Sequence, residues 1–164
     1  MPLHAIVTIC QTQPNPDGDV FASIGWRSTE INVWRVSDGT LLHTLTGHNE
    51  PIFAISLSPD GRLLASGSDD NTVKLWRVSD GALLHTFGGH SDNVAGVAFS
   101  PDGRQLASAA HDHTVKVWWV GDGALLHTLT GDERYFPASL AYGSDGHRLV
   151  SGTFNGRIMI WAIP

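Results

Sequence analysis

Ser, His and Asp, the residue types of a nucleophilic hydrolase, recur in this chain at a fixed spacing. His90, Asp112 and Ser108 have the types for base, orienting carboxylate and nucleophile, the hydroxyl passing its proton to an imidazole held by the acid. The same set stands 42 residues earlier as His48, Asp70 and Ser66, beside a tryptophan in each case. Duplication argues against catalysis, since enzymes rarely carry one triad per repeat, and no Gly-x-Ser-x-Gly elbow exposes a nucleophile. His111-Asp112-His113 offers zinc-type donors, yet two imidazoles one residue apart in a tight turn have no third ligand at a recognisable spacing. No metal and no other cofactor is expected. His111 and His113 are read as replacements for Asp69 and Asn71 in an exposed turn.

The elements that position these residues form a repeat. Tryptophans recur at Trp34, Trp76, Trp118 and Trp161, spaced by 42, 42 and 43. Gly47-His48 returns as Gly89-His90, Ser58-Pro59-Asp60-Gly61 as residues 100–103, and Leu41-Leu42-His43-Thr44-Leu45 at 83–87 and 125–129. Residues 40–81 and 82–123 match at 22 of 42 positions. Within one unit the runs 52–57, 62–66, 72–76 and 83–87 read as four short strands, joined by turns in which Pro presets φ, Asp caps through its side chain and Gly accepts positive φ. Such a meander is too apolar to leave both faces in water, so repeats must stack and bury Leu57, Leu64, Val73 and their equivalents between them.

Composition agrees with an all-β globular chain and excludes other classes. The 164 residues are 41% hydrophobic and 16% charged, with 18 Gly and 8 Pro. A net charge of −6, with Lys and Arg dispersed, disfavours binding to nucleic acid or anionic lipid. The lone Cys10 makes no internal disulfide, and no apolar stretch approaches the roughly 20 residues of a membrane span. A cytoplasmic location is expected.

Gly-His followed by Ser-Pro-Asp-Gly-Arg-Leu-Leu-Ala-Ser-Gly-Ser-Asp-Asp-Asn-Thr-Val-Lys-Leu-Trp resembles the WD40 repeat, strongly over residues 37–129 and more weakly at both ends. The residue after each periodic tryptophan is Arg35, Arg77, Trp119 or Ala162 rather than Asp, a variation this family tolerates. The resemblance implies a β-propeller of four tandem four-stranded blades over residues 3–46, 47–88, 89–130 and 131–164, the last lacking its outer strand. It also implies a buried polar chain from the His of Gly-His through a strand Ser and a turn Asp to the strand Trp. That chain would be His48, Ser66, Asp70 and Trp76 in blade two, and His90, Ser108, Asp112 and Trp118 in blade three. In blade four Gly131-Asp132 replaces Gly-His and Asn155 replaces Asp, with Ser151 and Trp161 in register. Blade one has an extra residue between Ala22 and Trp34, and the apolar run Ala5–Ile9 is read as its inner strand.

The family implies a non-catalytic scaffold that binds other proteins or peptides. Alternatives are the propeller part of a larger signalling protein with a kinase or NTPase, and a propeller hydrolase; neither a P-loop nor a kinase catalytic loop occurs here. Binding residues should lie where the repeats differ. Trp26, Asn49, Glu50, Asp69, Ser91, Asp92, His111, Asp132, Glu133, Arg134, Tyr135 and Phe136 are the candidates, with Trp26 favoured because blade packing does not demand it. Four blades without a closing strand imply an open arc, completed by further blades of a longer chain or by a second copy in a homodimer.

Overall fold

The computed structural model describes residues 9–132 and 137–163. Its fifteen strands form four antiparallel sheets in chain order, and the described residues contain no helix. Blade one holds β1 (Ile9–Pro14), β2 (Val20–Gly25), β3 (Glu30–Arg35) and β4 (Leu41–Thr46). Blade two holds β5 (Ile52–Leu57), β6 (Leu63–Ser68), β7 (Val73–Arg77) and β8 (Leu83–Phe87). Blade three holds β9 (Val94–Phe99), β10 (Gln105–Ala110), β11 (Thr114–Trp119) and β12 (Leu125–Thr130). Blade four has three described strands, β13 (Pro137–Tyr142), β14 (Arg148–Thr153) and β15 (Ile158–Ala162).

The turns account for these boundaries. After β5, Ser58 Oγ donates to Asp60 Oδ1 (2.6 Å) and accepts the Leu63 amide (2.9 Å), while Gly61 takes φ +69°. Ser100, Asp102 and Gly103 repeat the arrangement after β9. Blade one builds the same turn from Asn15-Pro16-Asp17-Gly18, with Asn15 Oδ1 accepting the Val20 amide (3.0 Å). That turn corrects the expected inner strand of blade one. The strand is Ile9–Pro14, paired from Pro14↔Phe21 back to Ile9↔Gly25, and residues 5–8 lie outside the described part. Counting apolar residues missed the strand's end at Pro14, because that end is set by the turn and not by hydrophobicity.

Each interface between blades follows one rule. The trailing face of a blade, supplied by its second and third strands, packs against the leading face of the next. Ala22, Ile24, Ile31 and Val33 of blade one meet Ile52, Ile55, Leu64 and Trp76 of blade two. Ala65, Val73 and Leu75 meet Val94, Val97, Leu106 and Trp118, and Ala107, Ala109, Val115 and Val117 meet Leu140, Leu149 and Trp161. Inner strands follow in order, β1 on β5, β5 on β9 and β9 on β13, and the sheets form an open arc.

Close approach at the second of these interfaces requires Gly67. A Cβ there would stand 2.6 Å from Val94 Cγ1, with the Val94 carbonyl oxygen at 3.2 Å. Gly67→Ala is expected to cost about 1–3 kcal/mol through overpacking. Gly88→Ala, with open space around the added methyl, should stay within about 0.5 kcal/mol of wild type. Thermal denaturation of the two variants checks this, and equal midpoints would contradict the tight interface.

Candidate functional site

One end of the arc carries the Gly-His segments and the turns between second and third strands, and there the polar side chains converge. In blade two, His48 Nδ1 lies 2.7 Å from Asp70 Oδ2, and His48 Nε2 lies 2.7 Å from Ser66 Oγ. The indole N–H of Trp76 donates to Ser66 Oγ at 2.9 Å. Blade three repeats the set: His90 to Asp112 and to Ser108 at 2.8 Å each, and Trp118 Nε1 to Ser108 Oγ at 2.9 Å. The proton positions follow from the donors. Indole can only donate and an ionised carboxylate can only accept, so Nδ1–H donates to the aspartate; in the neutral ring Nε2 is then the acceptor, and the serine hydroxyl donates to it while its oxygen accepts the indole N–H.

Electrostatics agree with that tautomer. Burial pushes the His48 and His90 pKa values below 6.5, against the raising effect of Asp70 and Asp112, so both imidazoles are neutral near pH 7. Burial alone would raise Asp70 and Asp112. Hydrogen bonds from Thr72 and His48, and from Thr114 and His90, outweigh it and hold both below 3.8. Each carboxylate is saturated. Asp70 Oδ1 accepts the Thr72 amide (3.0 Å) and hydroxyl (2.6 Å), and Oδ2 accepts the Asn49 amide (3.2 Å) as well as His48. Asp112 binds Thr114 and Ser91 in the same way.

These are the distances of a Ser-His-Asp triad without the access one needs. Ser66 and Ser108 are fully buried, and the oxygen that would attack already accepts an indole N–H. A nucleophile must reach a point about 3 Å from a substrate carbon. Among the described residues, no group of three or more His, Cys, Asp or Glu side chains could hold a metal ion.

The flanking blades differ. In blade one Trp34 Nε1 donates to Ser23 Oγ (2.8 Å), and Ser28 takes the place of the turn aspartate, its Oγ accepting the Glu30 amide (3.1 Å). The extra residue in this blade moves Ser23 to 43 residues before Ser66, which hides it from a strict 42-residue register. In blade four Ser151 is fully buried beside the half-buried Trp161, and an Arg157–Asp132 ion pair (3.0 and 3.1 Å) stands where the His–Asp pair stands elsewhere. An Arg in the Thr72 and Thr114 register, facing an Asp in the His register, was the available signal.

A second feature of this end is apolar. Trp26 is 70% exposed and Phe53 49%, and with Arg27, Pro51, Ile52 and Asp69 they line a cleft of about 270 Å³ between blades one and two. Phe53 is turned outward by a β-bulge. β5 pairs with β6 through Ile52↔Ser68 and Ala54↔Gly67, leaving Phe53 without a cross-strand partner. Cys10, Ala95 and Ala138 hold the bulge position in the other blades. A bulky Phe where the other blades carry small side chains was therefore visible at the repeat spacing and was missed. A larger cleft of about 480 Å³ lies at the opposite end, between the turns at Ser100–Asp102 and Ser144–His147, with no Phe, Tyr or Trp in its lining.

Of the other candidate binding residues, Asn49, Glu50, Asp69, Ser91 and Asp92 are exposed on this end. Asp132 is exposed but held by Arg157. His111 corrects the expectation of an exposed turn. It is half-buried with its ring edge against Phe154, centroids 5.8 Å apart, because blade four leans over the turn. His113 is half-buried too, at φ +65° like Asn71. Glu133, Arg134, Tyr135 and Phe136 lie outside the described residues.

Comparison with known proteins places this geometry. The family model described as the IFT122 first β-propeller matches residues 8–163. The chain is 43% identical over 60 residues to a periodic tryptophan protein 2 homolog of Schizosaccharomyces pombe, a match covering 37% of this chain and 7% of that protein. It is 39% identical over 66 residues to eukaryotic translation initiation factor 3 subunit I of Pyricularia oryzae and to small ribosomal subunit protein RACK1 of Neurospora crassa. Each match covers 40% of this chain, and 19% and 21% of those proteins respectively. The matches thus span less than a quarter of the curated relatives' length. The solved structure of U3-55K superposes on 97% of this chain and 50% of its own length, with a TM-score of 0.87 and 29% identity. With a family model matching nearly its whole length, this chain belongs to the WD40 β-propeller family.

Proposed function

We infer that the chain is a non-catalytic scaffold that binds other proteins or peptides, with the Trp26–Phe53 cleft as its main anchor. The observation that carries this reading is the pair of large aromatic side chains, both exposed, converging on one cleft of a rigid frame. Exposed aromatics clustered in this way are the usual centre of a protein interface. Arg27, beside Trp26, sits at φ +55°, a backbone state uncommon outside glycine and worth holding where a loop presents a side chain. The His-Asp-Ser-Trp sets are structural: they tie the Gly-His segment and the Asp turn of one blade together and so fix the loops around the cleft. Two of the similar proteins are by name a translation initiation factor subunit and a small ribosomal subunit protein, both parts of larger assemblies, which favours a cytoplasmic scaffold.

Affinity capture with the tagged chain, compared with a Trp26→Ala/Phe53→Ala double variant, tests the reading. The variant is expected to lose its specific partners at least about tenfold, as for an aromatic hot spot. Its unfolding midpoint should not change, because both side chains are exposed. Undiminished capture would exclude the cleft as the anchor.

A further inference from the structure

Given the Trp26–Phe53 cleft as the anchor for a partner, we infer that its occupant is a cationic side chain, arginine or lysine, carried by a basic segment of that partner protein. The cleft is lined by Trp26, Arg27, Pro51, Ile52, Phe53 and Asp69 and measures about 270 Å³. Pockets for free small molecules begin at roughly 300 Å³, so this one suits a single long side chain of a polypeptide. Its parts match the two halves of such a chain. Pro51, Ile52 and Phe53 offer apolar surface for the methylene stem. The exposed indole of Trp26 offers a negative ring face to the charged head, and Asp69 offers a carboxylate in the same lining.

Charge around the cleft selects the sign. Glu50 precedes Pro51, and its carbonyl oxygen accepts the hydroxyl of Ser68, next to Asp69, at 2.9 Å. Glu30 stands just beyond Ser28, whose carbonyl oxygen accepts the Ile52 amide at 2.8 Å. Glu30, Glu50 and Asp69 are all exposed, and among the described residues none of these carboxylates forms an ion pair. Other exposed aspartates have an arginine of their own: Asp38 has Arg35 at 3.0 Å, Asp80 has Arg77 at 2.8 Å and Asp132 has Arg157 at 3.0 Å. Arg27 is the one cation in the lining, so three carboxylates against one guanidinium leave the rim negative. An acidic occupant would meet like charge there. An apolar occupant would strip water from Asp69 and leave it unpaired. A cationic one pairs Asp69, relieves the repulsion among the three acids, and is drawn toward a chain of net charge −6.

End-capped peptides Gly-Ser-Xaa-Ser-Gly, with arginine, lysine, norleucine or glutamate at the centre, are titrated against the purified chain while the Trp26 indole N–H resonance is followed, identified as the one that Trp26→Phe removes. The arginine and lysine peptides are expected to bind at least about fivefold more tightly than the norleucine peptide, and the glutamate peptide more weakly than all three. Arginine ahead of lysine marks a guanidinium lying flat on the indole, and lysine ahead marks a compact ammonium held by Asp69. Asp69→Asn should weaken the arginine peptide at least about threefold and leave the norleucine peptide unchanged. Arg27→Asn, an exchange that suits φ +55°, should tighten the arginine peptide. Norleucine bound as tightly as arginine would overturn the inference in favour of a purely apolar occupant. Glutamate bound more tightly than arginine, or an Arg27→Asn chain that binds arginine more weakly, would overturn it in favour of an acidic one. A Trp26 resonance that no peptide moves would overturn it as well. The cleft as anchor is judged separately: partners lost with Trp26→Ala/Phe53→Ala but kept with Asp69→Asn would leave the anchor standing and remove the cation from it.

Discussion

His90→Ala is expected to lower the unfolding free energy by about 3 kcal/mol, and Asp132→Ala by less than about 1 kcal/mol, although both remove the residue after a Gly at the start of a blade. The difference lies in what each leaves behind. Without the imidazole, the fully buried Ser108 Oγ loses the acceptor for its proton, and Asp112, its side chain 7% exposed, loses one of four hydrogen bonds. Each such group costs about 1–3 kcal/mol, and the void beside Trp118 adds to it. Asp132 pairs with Arg157 at side-chain exposures of 52% and 43%, where solvent screens the attraction and hydrates the arginine left behind. For a chain of this size the His90 variant should melt about 6–12 °C lower, at roughly 2–4 °C per kcal/mol. Midpoints shifted equally by the two substitutions would mean that the buried network contributes no more than a surface ion pair.

The contrast between these two residues also shows how far the sequence can be read. The positions of His48, Ser66, Asp70 and Trp76 and of their blade-three counterparts are legible because each is fixed by a turn or strand that recurs at 42 residues. Ser23 was not, because one added residue before Trp34 shifts the register while the strand pairing still brings the hydroxyl to the indole. The Asp132–Arg157 pair was not, because it depends on two substitutions far apart in the chain that make sense only as a pair. The end of blade one's inner strand was missed by following apolar residues when Asn15-Pro16-Asp17-Gly18 already marked it. Phe53 illustrates a different limit. Period-two alternation assigns a strand residue to one face or the other, and a bulge breaks that rule at one residue, so exposure there follows from pairing rather than from pattern.

The same buried imidazoles predict how stability depends on pH. His48 and His90 are held below their ordinary value of 6.5, first by burial and further by Lys74 and Lys116, while Asp70 and Asp112 only partly restore them. In the unfolded chain both side chains titrate near 6.5. Below that pH the unfolded state therefore binds protons that the folded state refuses, and stability must fall with pH until the folded-state value is passed. The sign is the reverse of that for an imidazole stabilised as a cation by an acid. Each refused proton removes up to about 1.4 kcal/mol per pH unit, so two histidines titrating together give a slope of up to about 2.7 kcal/mol per unit. Their contribution is full above about pH 6.5 and declines as the pH drops from there through the folded-state values. Asp70 and Asp112, held below 3.8, extend the loss once the unfolded carboxylates begin to protonate. Urea denaturation from pH 8 to pH 4.5 measures the curve, and a His48→Gln/His90→Gln variant, less stable at neutral pH, is expected to have a flatter slope below pH 6.5. A wild-type chain that gains stability as the pH falls through 6 would mean that the imidazoles are charged partners of Asp70 and Asp112. Such charged rings would donate from both nitrogens, and the serine oxygen would then accept from Nε2 as well as from the indole N–H, its own proton turned to another partner.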